Sequence, residues 1–158
     1  MTPIEIQKPF LTFDFLSPRA STKRIIIHHT AVKGDLSAQQ IHLNHLNIGY
    51  SGIGYHFVVR KNGAVERGRP VWAVGAHAYG CNNDSIGICL SGNFELETPT
   101  HYQIESAALL LANLCKDFNI PINRKNILGH CEVDSTACPG KNISLDTIVG
   151  KANWYFKG

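Results

Sequence analysis

The sequence predicts an α/β fold: a single domain with a central mixed β-sheet flanked by helices. Three observations predict it. Residues 25–27 (III) and 85–90 (SIGICL) are short, nearly continuous apolar runs, the kind found in strands buried on both faces. Three longer stretches space their apolar residues three to four apart, as helices do. Strand and helix patterns also alternate, in the order β, α, β-hairpin, β, long α, short β, α.

Each element has its own local signal. Residues 1–20 hold three prolines and read as an extended leader, with Phe10, Leu11, Phe13, Phe15 and Leu16 as apolar anchors that dock it on the surface. The run 23–29 (KRIIIHH) is a strand whose end projects His28 and His29 toward the crevice beside the sheet, where α/β proteins commonly bind ligands. Ser37 caps a helix reaching about residue 47. The GYSGIG loop, 49–54, needs positive φ, and 55–61 (YHFVVRK) is a strand. Asn62-Gly63 is a hairpin turn returning through residues 64–67, and 69–78 is a connector. Thr98 followed by Pro99 predicts the start of the long core helix, which runs to about residue 118. Residues 126–129 form a short strand delivering His130. Ser144 caps a last helix from 145 to about 156. The predicted boundaries are an N-terminal extended segment, 1–22, and one folded domain, 23–158.

The 158 residues are 44% hydrophobic and 17% charged, a globular composition, with a mild net charge of +3. No basic block points to nucleic acid, and no apolar run is long enough to span a bilayer, so neither partner is expected. The first 20 residues lack a basic start followed by an apolar run, so no secretory signal is read. Five cysteines, an odd number in a chain too large to need staples, favour synthesis in a reducing compartment with at least one thiol free for metal. A monomer is favoured.

The chemistry gathers in residues 128–140, LGHCEVDSTACPG, where His130 and Cys138 lie eight apart. Imidazole and thiolate are the commonest zinc ligands, but two ligands are not a site. His28 and His29 point to opposite faces of their strand, and periodicity does not say which faces the crevice; a buried structural histidine is the alternative for either. Tyr55 and His56 oppose each other in the same way. His42 and His45 share a helix face, which without an H-E-x-x-H pattern is expected to be solvated. His101 is expected to be exposed.

Four ordered blocks carry a resemblance: IIIHHTA (25–31), GYHFVVRKNGAVERGRP (54–70), AVGAHAYGCNNDSIGICLSGNF (73–94) and LGHCEVDSTACPG (128–140). Over residues 23–156 the chain resembles the type 2 N-acetylmuramoyl-L-alanine amidases. That family takes in phage lysozyme-like amidases, bacterial muropeptide amidases and animal peptidoglycan recognition proteins. The resemblance implies a Zn²⁺ site made by His28, His130 and Cys138, with an open fourth position. It implies a catalytic Tyr55, and it puts Thr136 where it can donate to a developing oxyanion. It makes His77 a lining residue of the substrate groove, with Asn83 near it. The implied reaction is hydrolysis of the amide joining the lactyl group of N-acetylmuramic acid to the stem L-alanine. The implied partners are peptidoglycan and muropeptides.

Two departures refine this. Thr136 is neutral where many phage enzymes carry Lys, so a smaller contribution is expected there. SIGICLSG lacks the acidic residue of the cytosolic recycling enzymes, and the third ligand is Cys. Both favour an endolysin or autolysin, made in the cytoplasm and reaching the wall through a holin or lysis. The alternative is a muropeptide-binding module that does not cut, against which the Cys ligand argues. Glu132 is a candidate partner for a ligand histidine.

Overall fold

The computed structural model describes residues 2–158, so residue 1 of the N-terminal segment lies outside the described residues. The predicted buried runs are the centre of the sheet. Strand β1 (Arg24–His29) pairs in parallel with β4 (Ser85–Leu90) on one side and with β5 (Ile127–Gly129) on the other. Strand β2 (Phe57–Val59) runs parallel to β4, and β3 (Val65–Arg67) closes the edge antiparallel to β2. The order is β3-β2-β4-β1-β5, the mixed sheet expected. Every residue of β4 is buried, which is why its sequence shows no polar alternation. Strand β2 is shorter than the seven-residue run suggests because Arg60 already closes the hairpin: its N–H bonds Ala64 O and its O accepts from Gly63 N, both at 2.8 Å.

The helices are α1 (Ala38–Asn47), α2 (His101–Phe118) and α3 (Leu145–Lys157). Ser37 and Ser144 cap α1 and α3 as expected. The start of α2 differs: its cap is Thr100, not Thr98. Thr100 Oγ1 accepts from Gln103 N and the Gln103 side chain accepts from Thr100 N, a reciprocal capping box that outweighs the proline signal. Pro99 therefore stands just outside the helix.

Alternation along β1 sorts its side chains onto two faces. Ile25 and Ile27, with Ile86, Ile88 and Leu90 of β4, meet α2 and α3 in the main core. Ile26 faces the other way, toward Ala78 of the connector and Cys81 of the turn after it, and Val58 packs there against Ala38 and Ile41 of α1. His28 lies on this second face. Residues 2–22 run extended across the domain. Gln7 pairs beside Glu66, Pro18 beside Ala73, and Phe13 stands edge-on to His42 with ring centroids 4.9 Å apart. No helix among the described residues is long and apolar enough to cross a membrane.

Candidate metal centre

The end of β1, the turn after β5 and the loop before α3 converge on one point. The ligand atoms offered there by His28, His130 and Cys138 all lie within 4.8 Å of one another. His28 Nδ1 is 3.6 Å from Cys138 Sγ. A tetrahedral zinc with Zn–N of about 2.05 Å and Zn–S of about 2.3 Å would separate two such ligands by about 3.6 Å. His130 supplies a second sign of fit: its Nε2 is buried without a hydrogen-bond partner, and Asp134 Oδ2 stands 3.6 Å away. Two imidazoles and one sulfur are the donors zinc prefers, and three protein ligands leave a position open.

The choice between His28 and His29 follows from the faces of β1. His28 is 1% exposed and turns toward the cluster, its ring 4.6 Å from that of His130 and 5.0 Å from that of Tyr55. The ring of His29 turns toward Phe94, whose backbone N–H it accepts through Nδ1 at 3.1 Å. The contribution of His29 to the centre is its backbone N–H, which donates to Cys138 Sγ at 3.4 Å.

The electrostatics suit neutral nitrogen donors. Burial, then the neighbouring His130, His29 and His56, hold His28 well below the usual histidine range. Burial also lowers His130, with Asp134 opposing. Burial pushes the Cys138 thiol up to about 11, with the His29 N–H acting against it. A divalent cation can nevertheless displace the proton from such a thiol.

Two cavities border the cluster. One, of about 470 Å³, is lined by His45, Tyr50, His77, Tyr79, Asn82 and Asp134. The other, of about 550 Å³, is lined by Thr30, Asn93, Glu95, Leu96 and Thr136. Tyr55 and His130 line both. Burial, followed by Cys89, Cys138 and Tyr50, raises the Tyr55 phenol well above its usual value, so it remains a hydrogen-bond donor. Thr136 is exposed at the rim, and its Oγ1 accepts from Cys138 N at 3.2 Å, leaving its hydroxyl proton free to donate.

Other candidates fall elsewhere. Asn83 is exposed, and its neighbour Asn82 lines the first cavity, its Oδ1 accepting from the N–H groups of His77 and Ala78. His42 and His45 do not form a solvated face: their Nδ1 atoms accept from Ile53 N at 3.0 Å and Gly54 N at 2.9 Å, pinning the glycine loop under Tyr55. Glu132 takes Gly129 N and Arg124 instead of a histidine. The carboxylate beside His130 is Asp134, four residues on in the turn, a spacing that could have marked it. All five cysteines are free thiols.

Comparison with known proteins follows the same lines. A profile described as N-acetylmuramoyl-L-alanine amidase matches residues 18–141. The chain is 35% identical over 133 residues to the endolysin of Enterobacteria phage T3, covering 80% of this chain and 85% of that protein. It is 37% identical over 139 residues to peptidoglycan-recognition protein SC2 of Drosophila melanogaster, covering 82% of this chain and 73% of that one. Among solved structures, the N-acetylmuramoyl-L-alanine amidase LysC from Clostridium intestinale URNW superposes with a TM-score of 0.88 at 38% identity, over 96% of this chain and 99% of that one.

Proposed function

The chain belongs to the N-acetylmuramoyl-L-alanine amidase family, and from that membership we propose that it is a zinc-dependent endolysin. It cleaves the amide between the lactyl group of N-acetylmuramic acid and the L-alanine of the peptidoglycan stem. The observation that carries the zinc assignment is the triad of His28, His130 and Cys138, with its donor atoms within 4.8 Å of one another. When bound, the ion supplies Lewis acidity and activation of the attacking water.

The chain's own groups do the rest. The scissile amide joins a sugar-bearing lactyl group to a peptide, and the two cavities bordering the cluster offer separate surfaces for those two parts. Tyr55 stands where they meet. Its protonated phenol orients the attacking water and helps direct its proton. The free hydroxyl proton of Thr136 donates to the oxyanion as the carbonyl becomes tetrahedral, a neutral hydrogen bond that grows with the charge. His77 and Asn82 wall the cavity on the His45 side, with Asn83 exposed beside them. The phage relative is an endolysin, and the wall is accordingly where we expect this chain to act.

The test is digestion of purified peptidoglycan with the wild type and Cys138→Ala, measuring new N-terminal L-alanine and bound zinc. The wild type is expected to retain zinc and release termini, and the variant to lose both. Activity retained in Cys138→Ala would refute the ligand set. Zinc bound without new termini would favour a module that recognises muropeptides without cutting them.

A further inference from the structure

Behind His28 lies a line of hydrogen bonds that ends on the main chain. His28 Nε2 is 2.9 Å from His77 Nδ1, His77 Nε2 is 3.3 Å from Ser85 Oγ, and Ser85 Oγ is 2.5 Å from the carbonyl oxygen of Cys81. The direction of each bond is forced by the one before it. A carbonyl oxygen has no proton to give, so the single hydroxyl proton of Ser85 goes to Cys81, and Ser85 Oγ accepts from His77. His77 therefore carries its proton on Nε2. In a neutral imidazole one nitrogen carries the proton and the other accepts, so with Nε2 protonated the Nδ1 of buried His77 is bare and accepts from His28 Nε2–H. A His28 that donates through Nε2 and binds as a neutral imidazole has its lone pair on Nδ1, the atom 3.6 Å from Cys138 Sγ.

The fold supports this line. Ser85 and Gly87 sit on the face of β4 opposite the main core. A Cβ at Gly87 would come within 2.5 Å of His77 Cγ, so only glycine lets the imidazole lie against the sheet. The backbone N–H of His77 is held by Asn82, and the Cys81 carbonyl belongs to the turn that feeds β4. Ser85 is 0% exposed and lines neither cavity beside the centre. Whatever it does for the site it does through His77.

We infer that Ser85 and His77 are positioning residues that hold His28 in the one tautomer whose Nδ1 lone pair faces His130 and Cys138, setting this ligand before an ion arrives. The inference rests on the metal reading above only for its effect on zinc; the tautomer itself stands independently. Partners that fix the tautomer of a ligand histidine are commonly worth about 10- to 100-fold in metal affinity.

The experiment uses the full chain as wild type, Ser85→Ala, His77→Leu and His77→Asn, with thermal unfolding to establish that each folds. Long-range ¹H–¹⁵N NMR of the metal-free chain reports the His28 tautomer, and competition with a chromophoric chelator reports zinc affinity. The wild type is expected to show only Nε2–H on His28. Ser85→Ala should admit the second tautomer and weaken zinc about 10-fold, and His77→Leu by up to about 100-fold. His77→Asn, whose Oδ1 can replace Nδ1 as acceptor, should stay within about threefold of wild type. A wild-type His28 protonated on Nδ1 would overturn the inference. So would a folded Ser85→Ala unchanged in both tautomer and zinc affinity, or a His77→Asn as impaired as His77→Leu. A wild type that binds no zinc at all would sink the metal reading instead, while the NMR result would still decide the tautomer.

Discussion

Gln103→Leu is the sharpest test of how the fold holds the site. Gln103 is fully buried in the first turn of α2, and each polar atom of its side chain has a partner. Oε1 accepts from Thr100 N at 3.1 Å, while Nε2 donates to Ser91 O at 2.9 Å and to Val59 O at 3.2 Å. One side chain thus ties the start of α2 to the ends of β2 and β4. Leu fills nearly the same space, so the change removes polar partners without opening a cavity. Val59 O keeps Ser91 N at 3.0 Å, but Ser91 O and Thr100 N lose these bonds. At about 1–3 kcal/mol for each buried group left unpaired, less the gain from burying an apolar side chain, the net cost is about 2–4 kcal/mol. In a domain of this size that lowers Tm by roughly 5–12 °C. The assay is thermal unfolding by circular dichroism at one fixed zinc concentration, since bound ligand raises Tm. A fall under about 2 °C would refute the claim that this buried amide clamps helix to sheet. The consequence reaches the site: Gly92, next to Ser91, bonds Thr30 and Ala31 just beyond the metal-facing end of β1.

Three further predictions concern the reaction and the pH dependence of stability. Tyr55→Phe keeps the ring and removes the donor, and should lower kcat by about 100-fold or more with bound zinc unchanged; Thr136→Val should cost about 10-fold with little change in KM. Loss of zinc in either variant would show that the residue supports the ligands and not the reacting atoms. Stability should fall in acid. Burial lowers His56 to about 3, so the folded chain leaves it neutral where the unfolded chain, near its ordinary value of 6.5, takes up a proton. The unfolded state binds more protons between those values, so the contribution is whole above about pH 6.5 and is lost downward at about 1.4 kcal/mol per pH unit toward pH 3. Urea unfolding at pH 7 and pH 5 should differ by about 2 kcal/mol from this residue alone; equal stabilities would show that His56 is protonated in the folded state.

What could be foreseen from the chain depended on how far apart the interacting residues lie. The start of α2 was legible, since Thr100 and Gln103 form a capping-box pattern, but the Thr98-Pro99 pair competes with it at short range. His42 and His45 have the spacing of one helix face, and nothing local shows that residues 53 and 54 fold back to donate to both. Asn82 and Asn83 are equivalent in sequence, and the turn alone turns one inward and the other out.

The three candidate ligands came from resemblance across four ordered blocks; residue patterns alone determined the α/β class, the buried central strands and the helices with their serine caps. Each of these is written in short-range patterns of apolar periodicity, turn chemistry and motif, which act within a few residues. Only the tertiary structure decided that the ring of His28 and not that of His29 faces Cys138, across 110 positions of chain, because that depends on which face of β1 the helices α2 and α3 cover. Only it joined His28 to Ser85 through His77. A tautomer is set by the partner on the far nitrogen, and that partner is chosen by packing between strands and connector, which no local pattern records.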